Sequence, residues 1–213
     1  MKIGIIGSGN VGQMLGIAFA HSGHEVMIGT RDAGKLTTWV MNAGKNARVG
    51  STSEAAAFGE MIVFCTKWET AHAAIELAGK ENFSGKIVIE TTNPLHFTAE
   101  GQPPAPSLSF PESAGKKLQS WLPESKVVKC FNIVTAAHMG NGQLSEGKAD
   151  MFICGNDEKA KAHVKQLVEK WNWNVTDMGD VTQSYLLEGL AMFWIVYGFR
   201  NNHWTHAWKL LKK

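Results

Sequence analysis

Short apolar segments alternate with helical patterns along most of the chain. Seven segments of four to six residues are apolar and compact enough to be strands: 2–6, 25–28, 61–64, 86–89, 126–131, 151–154 and 173–176. Strands that are separated by helices pair in parallel and leave helices on both faces of the sheet. The pattern therefore predicts an α/β fold with a doubly wound, mainly parallel sheet.

Two of the intervening segments have the apolar spacing of amphipathic helices. In the first, apolar residues recur at i, i+4, i+7 and i+8 from Val11, and Gly23 is placed to end the helix. The second covers residues 160–171, and Asn156 or Asp157 before it is a candidate N-cap. Both helices are expected to pack one face on the sheet.

The last part of the chain differs in composition. Residues 183–199 read QSYLLEGLAMFWIVYGF, which is apolar on nearly all sides of a helix and predicts burial from more than one direction. We therefore divide the chain into a sheet domain, residues 1–180, and a helical segment packed on it, residues 181–213. A partner subunit is a natural cover for this helix, so a homodimer is expected.

A long loop is predicted over residues 98–113, which hold four of the six prolines of the chain. Loops of this length inside a compact domain are usually functional or mobile. A surface excursion without a ligand is the alternative interpretation.

A glycine-rich turn follows the first predicted strand and opens the first helix. It has the G-x-G-x-x-G spacing, and its residues are Gly7, Ser8, Gly9, Asn10, Val11 and Gly12. In the Rossmann NAD(P)-binding fold, such glycines permit a tight turn, a close approach of the backbone to a pyrophosphate, and close packing of helix on strand. The N–H groups of the first helical turn then bind the anion. The spacing and its context predict a dinucleotide site.

The end of the second strand indicates which dinucleotide binds. An NAD site has Asp or Glu there, which accepts hydrogen bonds from the ribose hydroxyls. This chain has Thr30 and Arg31, with Lys35 one turn later, and these groups suit a 2'-phosphate. NADP(H) is therefore the predicted cofactor. If Asp32 instead faces the ribose, NAD also binds.

Three further strand ends are polar or unusual, and ligands of doubly wound sheets bind at this carboxyl edge. The predicted cofactor-binding residues there are Cys65, Thr66, Lys67, Trp68, Thr91, Asn93, Pro94, Asn132 and Val134. Turn chemistry or packing is the alternative explanation for each of them alone.

The sequence presents no set of residues for protein-side catalysis. No Ser-His-Asp set or carboxylate pair is supported by local context, and His203 and His206 have no third metal ligand nearby. Glu188, in an apolar helix, is interpreted as a helix cap or backbone partner. We predict no catalytic side chain and no metal, because hydride transfer between two bound rings needs positioning rather than a protein acid.

Composition narrows the function classes. A formal charge of +2 is too small for sequence-independent phosphate binding, so nucleic acid is not an expected partner. The longest apolar stretch, residues 190–199, is about half of what crosses a bilayer, so no membrane association is expected. Three unpaired cysteines in apolar runs predict buried thiols in a reducing compartment, which favours a cytoplasmic location.

In order along nearly the whole chain, several blocks resemble the F420-dependent NADP oxidoreductases, also called NADPH-dependent F420 reductases. The more specific blocks are KVVKCFNIVTAAHM, DMFICGNDEKAKAHV and LLEGLAMFWI, which accompany MKIGIIGSGNVGQMLG and GHEVMIGTRD. The cytosolic reductase domain of the six-transmembrane metalloreductases is similar to this family too. The resemblance implies a Rossmann domain with a small helical C-terminal part, commonly dimeric, that brings the nicotinamide of NADP against a deazaflavin.

The resemblance also implies roles for single residues. Residues 8–11 would hold the pyrophosphate, and Thr30, Arg31 and Lys35 would hold the 2'-phosphate. Trp68 and Ala136 would lie near the nicotinamide half, and Asn132 with Val134 would face the deazaflavin.

Two departures bear on the second substrate. This chain has Asn132 where the archaeal enzymes have His, and it has Lys67 where they have Pro. A flavin-like acceptor is therefore an alternative to F420. Two other hypotheses stay open: a reductase of another small substrate, with Lys67 as its proton donor, and a non-catalytic NADPH sensor.

Overall fold

The computed structural model describes residues 1–211 and contains an eight-stranded central sheet. The strands are β1 (Lys2–Ile6), β2 (Glu25–Gly29), β3 (Ala47–Gly50), β4 (Met61–Phe64), β5 (Ile87–Glu90), β6 (Lys126–Lys129), β7 (Asp150–Gly155) and β8 (Asn174–Asp177). Their order is β3-β2-β1-β4-β5-β6-β7-β8. The first six strands are mutually parallel, whereas β7 pairs antiparallel with β6 and parallel with β8. The strand order reverses between β1 and β4, which is where such sheets bind ligands.

Seven α-helices connect or follow the strands. They are α1 (Asn10–His21), α2 (Thr37–Ala43), α3 (Thr52–Phe58), α4 (Ala71–Ala78), α5 (Ala114–Trp121), α6 (Glu158–Glu169) and α7 (Ser184–Asn201). Short 3-10 turns occupy Ala33–Leu36, Trp68–Thr70, Lys80–Phe83, Ala136–His138 and Val181–Gln183. Two small antiparallel pairs join Leu95–His96 to Ala105–Pro106 and Gln143–Leu144 to Gly147–Lys148.

The core has one apolar layer on each face of the sheet. One layer includes Leu15 of α1 and Val164 of α6, and the other includes Ala55 of α3, Ile75 of α4 and Leu118 of α5. Because the inner strands are covered on both faces, they appear in the sequence as continuous apolar runs. The predicted doubly wound α/β fold is confirmed.

All seven predicted strands are present, with ends shifted by no more than two residues. The largest shift is in β6, which ends at Lys129 because Phe131 takes a left-handed conformation (φ 64°) and turns the chain away. The strand β3 was not predicted. It is a sheet edge whose four residues, ARVG, are exposed or half-buried, so it lacks the apolar run that marks the other strands.

The helix α1 ends where Gly23 predicted, and α6 begins after the predicted N-cap Asp157. Gly23, with φ 86°, follows the last turn of α1, and the side chain of Asp157 accepts a hydrogen bond from the Ala160 N–H at the start of α6. The helix α7 buries Leu187 and Trp194 on one side. Its other side exposes Leu186, Phe193 and Tyr197, so within one chain the helix is not covered all round as its composition predicted.

A buried ion network joins the ends of β5 and β6 to α5 and α7. The Lys129 ammonium lies 2.5 Å from the Glu90 carboxylate and 3.0 Å from that of Glu188, and it donates to the Thr92 carbonyl at 2.8 Å. Glu188 Oε1 also accepts from the N–H of Ala114 at 2.9 Å, which caps α5. The expected role of Glu188 as a helix cap is therefore confirmed, and the ion pair with Lys129 is an addition that the sequence did not predict.

The protonation of this network follows from its burial and its charges. Burial by itself lowers the pKa of Lys129, but the carboxylates of Glu188 and Glu90 outweigh burial and raise that pKa, so the amine stays charged. Burial raises the pKa of Glu188, against the opposite effect of Lys129. Because each charge has a partner within hydrogen-bonding distance, removing one of them leaves the others uncompensated.

We expect Lys129→Met to lower the free energy of unfolding by about 3–5 kcal/mol, because two carboxylates lose their shared buried cation. The control is Lys165→Met, which removes a half-exposed lysine 3.8 Å from Glu169 and should change stability by no more than about 0.5 kcal/mol. Urea denaturation at neutral pH measures both variants. Equal, small losses would show that the buried network does not contribute more than a surface pair.

Candidate functional site

The glycine turn is built around close backbone contacts at the carboxyl end of β1. Gly7 has φ 124°, and a Cβ placed on it would lie 2.6 Å from the carbonyl oxygen of Cys65. A Cβ on Gly12 would overlap the carbonyl oxygen of Gly7. A larger residue at Gly7 would push the turn away from the segment after β4, and a larger residue at Gly12 would push α1 away from the turn.

Gly9 differs from Gly7 and Gly12, because the protein itself leaves room for a side chain at this position. Its φ of −74° suits any residue, and a Cβ built on it meets no atom within 4 Å. Within residues 1–211, no side chain caps the start of α1, a feature that it shares with α2, α4 and α7, whereas side chains cap α3, α5 and α6. The first N–H groups of α1 therefore face open space beside Gly9, which is the arrangement that binds a phosphate.

A cleft of about 540 Å³ lies beside this turn, at the carboxyl ends of β1, β2 and β4. Eight of the predicted residues line it: Gly7, Ser8, Gly9, Thr30, Arg31, Cys65, Thr66 and Lys67. The sequence did not identify the lining residues Thr52 of α3 or Leu77 of α4, nor Thr70 just before α4. Nothing in their local sequence marks them, because only the packing of these segments on the sheet brings them to the cleft.

The end of β2 has the arrangement that suits a 2'-phosphate. Thr30 and Arg31 line the cleft, while Asp32 accepts a hydrogen bond from the Gly34 N–H at 3.1 Å and caps the turn Ala33–Leu36. Asp32 also lies 3.5 Å from the Lys35 ammonium, whose side chain is 81% exposed and does not line the cleft. The carboxylate of Asp32 therefore makes its contacts within the turn Ala33–Leu36. The role of Lys35 as a ligand of the 2'-phosphate stays a prediction.

The segment after β4 contributes a thiol, a hydroxyl and a cation. The Cys65 thiol donates to the Ile6 carbonyl at 3.4 Å, and burial raises its pKa to about 12, so it is a neutral packing group. The Thr66 hydroxyl oxygen is buried and has no hydrogen-bond partner within residues 1–211. The ring of Trp68 stacks on Trp121 at 5.4 Å. Among these, Thr66 has the unsatisfied group that a bound ligand would satisfy.

The predicted residues after β5 and β6 form a second group, outside this cleft. The Asn93 side chain donates to the Asn132 carbonyl at 2.8 Å, and the Asn132 side chain donates to Asn93 Oδ1 at 3.0 Å. Val134 and Ala136 are buried in the layer that contains α1. Two others are Thr91, which donates to the Phe64 carbonyl, and Pro94, which lines a separate pocket beside α7.

The first group fits an NADP(H) molecule. The space at Gly9 could accommodate a pyrophosphate, and the uncapped N–H groups and Arg31 could donate to its anionic groups. The Thr66 hydroxyl has an unused hydrogen-bonding capacity within the described residues. Within the described residues, no cluster of three or more metal-ligating side chains is present. None of the helices described is long and apolar enough to span a membrane.

Comparisons with known proteins agree with this assignment. Residues 2–94 match the family described as NADP oxidoreductase coenzyme F420-dependent. The F420-dependent NADP reductase of Methanocaldococcus jannaschii is 29% identical over 90% of this chain and 89% of its own. A crystal structure from Arthrobacter sp. FB24, of a protein assigned to the F420-dependent NADP reductases, is 33% identical and superposes over both full chains with a TM-score of 0.92.

Metalloreductase STEAP3 of Rattus norvegicus is 27% identical over 90% of this chain. The chain spans only 36% of the length of that metalloreductase.

The fold and the cleft thus define a Rossmann-type dinucleotide-binding protein. The chain belongs to the family of F420-dependent NADP oxidoreductases, as the resemblance of its sequence blocks indicated.

We expect Gly9→Ala to weaken NADPH binding at least tenfold, about 1.4 kcal/mol, and to leave the melting temperature nearly unchanged. The added methyl group meets no protein atom but fills the space at the open helix start. The matched variant Gly12→Ala should lower the melting temperature as well, because its methyl group overlaps the Gly7 carbonyl. Unaltered NADPH affinity in Gly9→Ala, measured by fluorescence titration, would place the pyrophosphate elsewhere.

We expect Arg31→Ala to weaken NADPH binding by about 1.5–3 kcal/mol, the range of a charged hydrogen bond, and to leave NADH binding nearly unchanged. Lys45→Ala is the matched control for loss of one positive charge at an exposed position outside the cleft, and it should change the affinity for neither nucleotide. Calorimetric titration with both nucleotides measures the difference. If Arg31→Ala weakens NADH as much as NADPH, Arg31 does not bind the 2'-phosphate.

Proposed function

We propose that the protein transfers a hydride between NADP(H) and a deazaflavin (F420) or a flavin-like acceptor. The observation that carries the proposal is the cleft at the carboxyl ends of β1, β2 and β4, where the open start of α1 and the Thr30–Arg31 pair occur together. Membership of the F420-dependent family and the similarity to an archaeal F420-dependent NADP reductase support the choice of acceptor.

The residues of this chain would act by holding and orienting two ligands. The N–H groups of residues 8–11 would bind the pyrophosphate, and Thr30, Arg31 and Lys35 would bind the 2'-phosphate. Trp68 and Ala136 would lie beside the nicotinamide, and Asn132 with Val134 would face the acceptor ring. NADPH supplies the hydride when it is bound. Positioning of two rings is the main contribution that this reaction requires of the protein.

The state of the cysteines supports a mechanism without a protein nucleophile. Burial raises the pKa of Cys65 to about 12 and that of Cys154 to about 11, and it raises that of Cys130 as well. The thiolate is the reactive form of cysteine, so all three are inert at neutral pH.

A reductase of another small substrate is the second candidate, and one observation favours it. Lys67 lines the cleft and is exposed, so its ammonium could donate a proton to the oxygen or nitrogen of a carbonyl or imine whose carbon receives the hydride from NADPH. In that case, Lys67→Ala would abolish turnover of such a substrate, whereas hydride transfer to a deazaflavin would persist.

The proposal also covers the roles of the two parts of the chain, a homodimeric assembly and a cytoplasmic location. Residues 1–180 would bind NADP(H). The predicted segment 181–213, of which residues 212 and 213 lie outside the described part of the chain, would contribute to a homodimer through α7. Exposed apolar residues on one side of α7, namely Leu186, Phe193 and Tyr197, support a dimer contact there. Three free, buried cysteines support a reducing, cytoplasmic environment.

The deciding experiment is an anaerobic assay with NADPH and oxidised F420, in which the visible absorbance of the deazaflavin is followed. Free FMN serves as a parallel acceptor, and Arg31→Ala serves as the control for cofactor dependence. We expect bleaching of F420 by the wild type and a much slower rate in the variant at low NADPH concentration. A protein that binds NADPH by titration but reduces neither acceptor would contradict the proposal and favour another substrate.

A further inference from the structure

Thr52 lies in the wall of the cofactor cleft, although no pattern in the sequence marks it. It is the first residue of α3, it is only 8% exposed, and it lines the cleft together with Thr30 and Arg31. A polar side chain this buried normally has a hydrogen-bond partner. The partner of the Thr52 hydroxyl therefore has to be found either in the protein or in a ligand.

The start of α3 does not use this hydroxyl. The Ser51 hydroxyl accepts from the Glu54 N–H at 3.2 Å, and the Glu54 carboxylate accepts from the Ser51 N–H at 2.7 Å. These two hydrogen bonds form a complete capping box. Within residues 1–211 the Thr52 hydroxyl makes no hydrogen bond, so its donor is free at the wall of the cleft.

The end of β2 lies directly against Thr52. A Cβ built on Gly29 would lie 2.8 Å from the Thr52 Cα, so a larger residue there would displace the start of α3. The Thr30 N–H donates to the carbonyl of Gly50, two residues before Thr52, at 3.0 Å. These contacts place Thr52 beside the strand end at which Arg31 enters the cleft.

The hydroxyl of Thr30, by contrast, is used within its own turn. It accepts from the Asp32 N–H at 3.1 Å and donates to the Asp32 carbonyl at 3.3 Å. Both contacts shape the turn that carries Arg31. An anion bound at Arg31 thus finds one hydroxyl already engaged, that of Thr30, and one free, that of Thr52.

We propose that the Thr52 hydroxyl donates a hydrogen bond to the 2'-phosphate of NADP(H), beside the guanidinium of Arg31, and thereby contributes to the choice of NADP(H) over NAD(H). A hydrogen bond to an ionised phosphate is stronger than one between neutral groups. The inference rests on the cofactor half of the proposed function and does not depend on the hydride acceptor.

The first test removes the hydroxyl and keeps the branched shape of the side chain. We expect Thr52→Val to weaken NADPH binding about tenfold and to leave NADH binding unchanged. Thr52→Ser, which retains the hydroxyl, should bind NADPH nearly as the wild type does. The control Thr176→Val removes a hydroxyl in β8, outside the cleft, and should affect neither nucleotide. Calorimetric titration gives all of these affinities.

The melting temperature without ligand separates binding from packing. Replacement of an unpartnered, buried hydroxyl by a methyl group removes no hydrogen bond from the folded protein, so Thr52→Val should melt at or above the wild-type temperature. A lower melting temperature, together with equal losses of NADPH and NADH affinity, would assign Thr52 to the packing of α3 and overturn the proposal.

The second test uses two fragments of the cofactor. The fragment 2',5'-ADP carries the adenosine and the 2'-phosphate, and 5'-AMP lacks that phosphate. Thr52→Val should weaken 2',5'-ADP about tenfold and leave 5'-AMP unchanged. Equal weakening of both fragments would place the hydroxyl on the adenine or the ribose and contradict the assignment.

The outcomes separate this inference from the proposed function. If Arg31→Ala weakens NADPH alone and Thr52→Val weakens neither nucleotide, the proposed position of the 2'-phosphate stands and this inference fails. If the wild type reduces neither F420 nor FMN but Thr52→Val weakens NADPH alone, the assignment of Thr52 stands and the proposed reaction does not.

Discussion

The buried ammonium of Lys129 connects the elements that form the carboxyl edge of the sheet. It binds carboxylates from β5 and α7 and a backbone carbonyl from the turn after β5, and the α7 carboxylate in turn caps α5. Four elements that are far apart in the sequence thus meet at one buried charge. Because buried ions need a partner at close range, a shift of α7 along the sheet would leave Glu188 and Lys129 without each other. We infer that this polar network, more than the apolar layers, determines where α7 packs on the sheet.

The cofactor cleft depends on a second constraint, the close approach of α1 to β1. Gly7 and Gly12 are required by the protein itself, since their neighbours leave no room for a Cβ. Gly9 is required only if a ligand occupies the space beside it. One motif therefore combines two kinds of glycine, and the structure separates them although the sequence spacing treats them alike. The same distinction applies within α7, where Gly198 is packed and Gly189 is not.

Much of the fold was predictable because strands buried on both faces leave continuous apolar runs, as in β1 and β4. The glycine turn and Arg31 were identifiable because their chemistry is local in the sequence. The ion network was not, since Glu90 and Lys129 are 39 residues apart and each follows an apolar run, where a polar residue looks like the end of a strand. Thr52 and Leu77 reach the cleft only through helix packing, and β3 is too short and exposed to leave a pattern.

The proline-rich segment 98–113 is attached to the sheet by contacts that do not involve the NADP cleft, such as the hydrogen bond from Ser107 to Pro94. Substitutions and insertions in this segment can therefore accumulate over evolution without disturbing the residues around Gly9 and Arg31.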